Sequence, residues 1–179
     1  MKKNFPLFAA ALAIAVGVGL LLFLQPWHRM SSPLDRGKQS YRDGKYAEAA
    51  TDFREALQAH PSDSVAATEL GRALIDMRRF DEAIPPLKQV VHSAPRATEA
   101  WHMLGEASAG GRHPKEAIDA YRHALELEPN RVHTHLMLGE AYRDLGKKKE
   151  ARSEWEKVLA LDPHTEGQLA RKLINMQGR

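Results

Sequence analysis

Cysteine is absent from the 179-residue chain. That excludes disulfides, thiolate zinc sites, iron–sulfur clusters, a cysteine nucleophile and a lipidated N-terminal cysteine. It does not locate the protein, since a cysteine-free chain suits any redox compartment. Aromatic residues are scarce at 7%, and 26 Lys and Arg stand against 23 Asp and Glu, a formal net charge of +3. So small an excess provides no basic footprint, and no nucleic-acid partner is expected. Signatures of catalysis are missing as well. There is no phosphate-binding GxxxxGK loop, no GxGxxG after a strand, no HExxH and no GxSxG, so neither enzymatic activity nor a cofactor is expected. What is present is 43% hydrophobic and 27% charged residues, too apolar for disorder. The average conceals a split, because the N-terminal segment is almost uncharged and the remainder is highly charged.

Residues 5–24 form an uncharged, nearly all-apolar run behind Lys2 and Lys3. As a helix its length is about 30 Å, the thickness of a bilayer's hydrocarbon core. Pro6 sits where a helix tolerates proline, and Gln25-Pro26-Trp27-His28-Arg29 closes the run with a breaker, an interfacial aromatic and a charge. A cleavable signal is the alternative reading. Leu20-Leu21-Leu22-Phe23-Leu24 occupies the place where its cut should fall, and Gly17-Val18-Gly19 is a poor cleavage site. An uncleaved anchor is therefore expected, with a cytoplasmic tip at 1–4 and the rest of the chain exported, by the positive-inside rule. Arg29, Arg36 and Lys38 on the far side oppose that bias. Ala9, Ala13 and Gly17 stand at helical spacing that could form a dimer seam, but alanine is common in membrane helices.

Beyond the run the chain repeats. Pro61, Pro95, Pro129 and Pro163 are 34 residues apart, and the same register aligns Gly37, Gly71, Gly105 and Gly139. It also aligns Ala49, Ala83, Ala117 and Ala151, and then Phe53, Leu87, Tyr121 and Trp155. A glycine inside a helix costs about 1 kcal/mol relative to alanine, a cost accepted where another helix must come close. The alanine reads as the small residue opposite it, and the large residue as filling the seam between one helix pair and the next. The proline ends the second helix of each pair. Asp43-Gly44-Lys45, Gly110-Gly111 and Leu145-Gly146-Lys147 read as the turns within pairs. Pro85-Pro86, early in a second helix, predicts a local kink, and Ser32-Pro33-Leu34-Asp35 reads as a helix start.

These columns resemble the tetratricopeptide repeat family. The third repeat carries the signature most fully, as Trp101-His102-Met103-Leu104-Gly105 with Ala117, Tyr121, Ala124 and Pro129; the second has Leu70-Gly71, Phe80, Ala83 and Pro95. Departures lie at the ends. The first repeat has Pro33 and Arg36 in place of the aromatic and leucine, and the fourth has His135 at the tryptophan position and Lys148 where an aromatic is usual. The resemblance implies an all-α solenoid of helix–turn–helix repeats, and the apolar run at 5–24 places a single transmembrane helix ahead of it. The expected organisation is a tip at 1–4, the anchor at 5–24 and a linker at 25–30. Four repeats come next over 31–163, at about 30–63, 64–97, 98–131 and 132–163, with a capping helix over 164–179.

The resemblance also implies a curved superhelix whose inner wall, built from first helices, binds a peptide or protein segment. Its wall positions are Leu34, Lys38, Tyr41 and Arg42 in the first repeat, and Val65, Thr68, Arg72, Ile75 and Asp76 in the second. The third repeat supplies Glu99, His102 and Glu106, and the fourth His133, Leu136, Glu140, Arg143 and Asp144. Of these, Lys38, Tyr41, Arg42, Thr68, Arg72, Ile75, Glu99, His102, Glu106, His133, Leu136, Glu140 and Arg143 are the candidate partner-binding residues. Their charges read as a groove basic near the anchored end and acidic toward the other. Some members of the family grip a C-terminal carboxylate, but the matching positions, Leu34, Lys38, Glu69, Glu99 and Met103, hold one basic residue, so that mode is not expected. Glu99, His102, Glu106 and His133 could together meet a divalent ion. The same residue types suit any solvated groove, and no metal is expected. His60, His113 and His123 read as surface residues, and Trp101, Tyr121 and Trp155 as packing. The functional expectation is a membrane-anchored adaptor or scaffold in cell-envelope assembly or maturation, with self-assembly of the solenoid as the alternative.

Overall fold

A computed structural model of the chain describes residues 32–177. They form helices α1 (Pro33–Arg42), α2 (Tyr46–Ala59), α3 (Ser64–Asp76), α4 (Phe80–Ser93) and α5 (Thr98–Gly110), and then α6 (Pro114–Leu127), α7 (Val132–Asp144), α8 (Lys148–Leu161) and α9 (Glu166–Gln177). No strand occurs among the described residues. Nor is any described helix long and apolar enough to cross a membrane; the run at 5–24, read as an anchor, lies outside them.

Each first helix packs on its own second helix, and each second helix on the following first helix. The backbones of successive first helices also come close, α1 to α3, α3 to α5 and α5 to α7, whereas those of successive second helices stand farther apart, α2 and α4 meeting through the Arg54–Glu82 ion pair at 3.1 Å. The first helices therefore line the shorter, concave wall and the second helices form the convex back. α9 packs chiefly on α8 through Gly167, Ala170 and Leu173.

The glycine column is explained by contact. A Cβ added at Gly37, Gly71, Gly105 or Gly139 would come within 3.0 Å of Phe53, Leu87, Tyr121 or Trp155 respectively, each of which is almost wholly buried. The large residue therefore lies directly over the glycine of its own helix pair. It also belongs to a cluster that reaches the next pair, as Tyr121 does with Leu138 and Ala141. The alanines at 49, 83, 117 and 151 are fully buried but are not what the glycine meets. The next seam has its own device, since Gly110 accommodates the ring of Phe80 from the preceding pair.

The turns within pairs share one left-handed residue at the same 34-residue spacing: Gly44 (φ 75°), Arg78 (φ 58°), Arg112 (φ 63°) and Gly146 (φ 74°). The expected Gly110-Gly111 turn is thus displaced. Gly110 ends α5, Gly111 has an ordinary negative φ of −76°, and Arg112 takes the strained position. At the other end of each pair His60, Ala94, Glu128 and Asp162 leave the helix at φ between −132° and −139°, the extended geometry a following proline imposes. Despite Pro85 and Pro86, α4 runs unbroken from Phe80 to Ser93.

Candidate binding groove

On the concave wall Tyr41, Arg72, Ile75, Asp76, Glu99, His102, Met103, Glu106 and Arg131 surround a recess of about 170 Å³. Three first helices, with Arg131 from the loop before α7, bring them together. The Tyr41 hydroxyl donates to Asp76 Oδ2 at 2.5 Å, tying α1 to α3. Burial, this hydrogen bond and the Asp76 charge push the phenol well up from its ordinary range. Arg72 lies 3.7 Å from both Glu69 and Glu99, and the Arg131 guanidinium donates to Glu99 from the other side. Burial alone would raise the Glu99 carboxyl, but the Arg131 bond and the surrounding positive charge outweigh it and hold Glu99 below the usual range.

His102 forms the floor and is only 6% exposed. Its Nδ1 stands 2.9 Å from the buried hydroxyl of Thr134. Burial, with Arg131 and His133 nearby, lowers the imidazole from 6.5 to about 4, so the ring is neutral at pH 7. Glu106 differs from its neighbours, as it is half-buried and makes no hydrogen bond or ion pair with a described residue. Burial pushes its carboxyl up, opposed by His133. Glu140, one repeat on, is likewise half-buried and unpaired among the described residues. Lys38, Arg72, Glu106 and Glu140 thus form one column along the wall.

The remaining candidate residues are distributed less evenly. Lys38 is half-buried on α1, and Arg42 is exposed and bonded to Gln39 at 2.6 Å. The Thr68 hydroxyl is turned back to the Ser64 carbonyl at 2.7 Å. His133 reaches α9, with Nδ1 3.1 Å from Glu166 Oε1, and Arg143 pairs with its neighbour Asp144 at 3.1 Å. Leu136 is a correction. It is 2% exposed and packs with Trp155, Val158 and Leu173, so it belongs to the core rather than to the wall. Ile75 and His102 too are buried, forming floor rather than rim. The candidate ligand cluster is dispersed among other partners: Glu99 to arginines, His102 to Thr134 and His133 to Glu166. Among the described residues no group of three or more His, Asp or Glu is placed to hold a metal ion.

Arg131 is not among the wall residues that the repeat columns imply. Its position lies in the loop before α7, and the equivalent residue one repeat earlier is Ala97, so no column signals it. Its presence moderates the expected polarity, because the acidic half of the groove contains a cation bound to Glu99. His135 stands out in the sequence only as a departure from the tryptophan position. It is buried, with Nε2 2.8 Å from the Pro129 carbonyl and Nδ1 2.7 Å from Glu154. Burial would raise Glu154, but His135 and Lys157 together lower it. Trp101 donates its indole N–H to the Pro95 carbonyl at 2.9 Å, and Gln89 reaches the Pro61 carbonyl. The carbonyl of the turn proline is therefore satisfied by a different side chain in each of three repeats.

Comparison with known proteins accords with this architecture. Two models described as "Tetratricopeptide repeat" match, one over residues 40–107 and the other over 98–131 and 132–165. Together they span most of the chain. No curated protein matches the sequence. Among solved structures the chain is similar to a MamA fragment from Desulfovibrio magneticus RS-1, with 26% identity, a TM-score of 0.72, and coverage of 87% of this chain and 90% of that one. It is similar also to a double mutant of MamA RS-1, at 28% identity and TM-score 0.72 over 80% and 83%. A further MamA crystal structure matches at 26% identity and TM-score 0.69 over 71% and 74%. With the 34-residue columns, the paired helices and both family models in agreement, the chain belongs to the tetratricopeptide repeat family.

Proposed function

We propose that the protein is a membrane-anchored scaffold whose concave groove holds a peptide or protein segment of a partner, in assembly or maturation of the cell envelope. The observation that carries this reading is the recess between α1, α3 and α5. It gathers hydrogen-bonding and charged groups on one wall while leaving Glu106 and, further along, Glu140 without partners among the described residues. Two half-buried, unpaired carboxylates on a concave surface favour a segment bearing positive charge, and Arg72 and Lys38 at the other end orient it. Residues 5–24 supply the anchor in this reading, with the tip in the cytoplasm and the solenoid exported. The groove works by binding, not by catalysis.

Crosslinking in native membranes tests this, with wild type compared to the triple variant Arg72→Ala, Glu106→Ala, Glu140→Ala. A partner recovered with wild type and lost with the variant supports the groove. Identical partners with both chains refute it. A second reading, self-association, draws on Leu169 and Met176, which are 43% and 64% exposed on the terminal helix α9. A mass that rises with protein concentration, and ceases to do so in the variant Leu169→Lys, Met176→Lys, distinguishes it.

A further inference from the structure

On the convex side α6, α7 and α8 line an open cleft of about 720 Å³. Leu125, Leu138, Tyr142 and Leu161 give it an apolar floor, and Leu161 is 40% exposed there. The cleft has a cause in the repeat itself. At the preceding junction the same columns hold Trp101 and His123, whose rings lie 4.5 Å apart, centroid to centroid. Thirty-four residues later those places are taken by His135 and Lys157. His135 retains the bond to the turn proline's carbonyl, but an imidazole lacks the second ring of an indole. Lys157 is drawn aside to Glu154, 2.9 Å away. The space that these two rings fill between the second and third repeats is thus open between the third and fourth.

We infer that this cleft binds an aromatic side chain of a partner protein, an indole or phenol with a carboxylate beside it. The ring takes the place that Trp101 occupies one repeat earlier, packing on Leu138 and Tyr142. Because His135 already satisfies the Pro129 carbonyl, the ring enters by stacking and apolar contact and need not donate there. The carboxylate is chosen to meet Arg122. Glu126 is held by His123 at 3.1 Å and Glu154 by His135 and Lys157, whereas Arg122 on the rim has no ion-pair partner among the described residues. Arg122 also favours the ring itself, as guanidinium over an aromatic face. The site stands independently of the concave groove.

The test uses the full chain in lipid nanodiscs with labelled leucine methyls, titrated with the capped dipeptide acetyl-Trp-Asp-amide and read by methyl NMR. Saturable shifts at Leu125, Leu138 and Leu161 are expected. Acetyl-Trp-Lys-amide should bind about threefold more weakly, the usual scale of one rim ion pair, and acetyl-Ala-Asp-amide should produce no saturable shift. His135→Trp restores the column's tryptophan and should abolish binding while the remaining spectrum stays folded. Arg122→Glu, an exposed change, should reverse the preference between the Asp and Lys probes. Absence of saturable shifts, binding undiminished in folded His135→Trp, or a preference unmoved by Arg122→Glu would each overturn the inference. If His135→Trp fails to fold, the Arg122→Glu comparison decides alone.

Discussion

Gly105→Ala isolates the contact on which each repeat is built. The new Cβ would stand 2.5 Å from Cδ1 and Cε1 of Tyr121, about 1 Å inside the normal separation of carbon atoms. Tyr121 is 1% exposed and packs with Ala117, Ile118 and Leu138, so the ring has no free space into which to retreat. Overpacking of this kind costs about 1–3 kcal/mol. Against it, alanine inside a helix is favoured over glycine by about 1 kcal/mol. The expected result is a net loss of about 1 kcal/mol, measured as a lower urea midpoint by far-ultraviolet circular dichroism. The sign should reverse once the ring is removed: in a Tyr121→Ala background the same change should stabilise by about 1 kcal/mol, since only helix propensity remains. The double-mutant cycle then carries a coupling energy of about 2 kcal/mol. If Gly105→Ala stabilises the otherwise unchanged protein as much as it does the Tyr121→Ala variant, the ring does not require the glycine and the packing argument fails.

The strained turns predict the opposite behaviour: Arg78→Gly and Arg112→Gly should each stabilise by about 0.5–1 kcal/mol, because a side chain at positive φ costs more than glycine's extra unfolded-state freedom. Thermal melts of the two single variants and their combination check both size and additivity. Stability should also fall with acid. His102 is lowered from 6.5 to about 4, so its contribution is complete above pH 6.5 and is lost as pH drops toward 4, to a total of about 3 kcal/mol. His102→Gln should flatten that part of the profile, and an unchanged slope in urea titrations across the window would contradict the assignment. Asp63 accepts hydrogen bonds from the Val65 and Ala66 amides at 2.9 and 3.0 Å. Asp63→Ala should therefore cost about 1 kcal/mol, seen as faster amide exchange in the first turn of α3 before any global change.

Much of the fold is legible in the sequence because a repeat states its chemistry several times over. The proline, glycine and large-residue columns each answer a short-range requirement, namely ending a helix, permitting close approach and covering the glycine. A requirement met in every copy is visible without coordinates. Single-copy features are not. Arg131 enters the groove from a loop whose counterpart is Ala97, and its bond to Glu99 joins residues far apart in the chain. The left-handed residue at Arg112 is hidden behind two adjacent glycines that suggest an earlier turn. Leu136 occupies a groove column by its spacing, yet it is covered by Trp155, Val158 and Leu173 from α8 and α9, as its column partner His102 is covered one repeat earlier.

The 34-residue period and the residue types in its columns dictate paired helices, their order and the side of each that packs, since those arise from helical periodicity and local sterics. Which carboxylates find an arginine, which histidine is sealed beneath Thr134 and where a missing indole leaves a cleft emerge only from the stacked solid. Those outcomes depend on how side chains from neighbouring repeats compete for the same space and the same hydrogen bonds. No single stretch of sequence contains both sides of that competition.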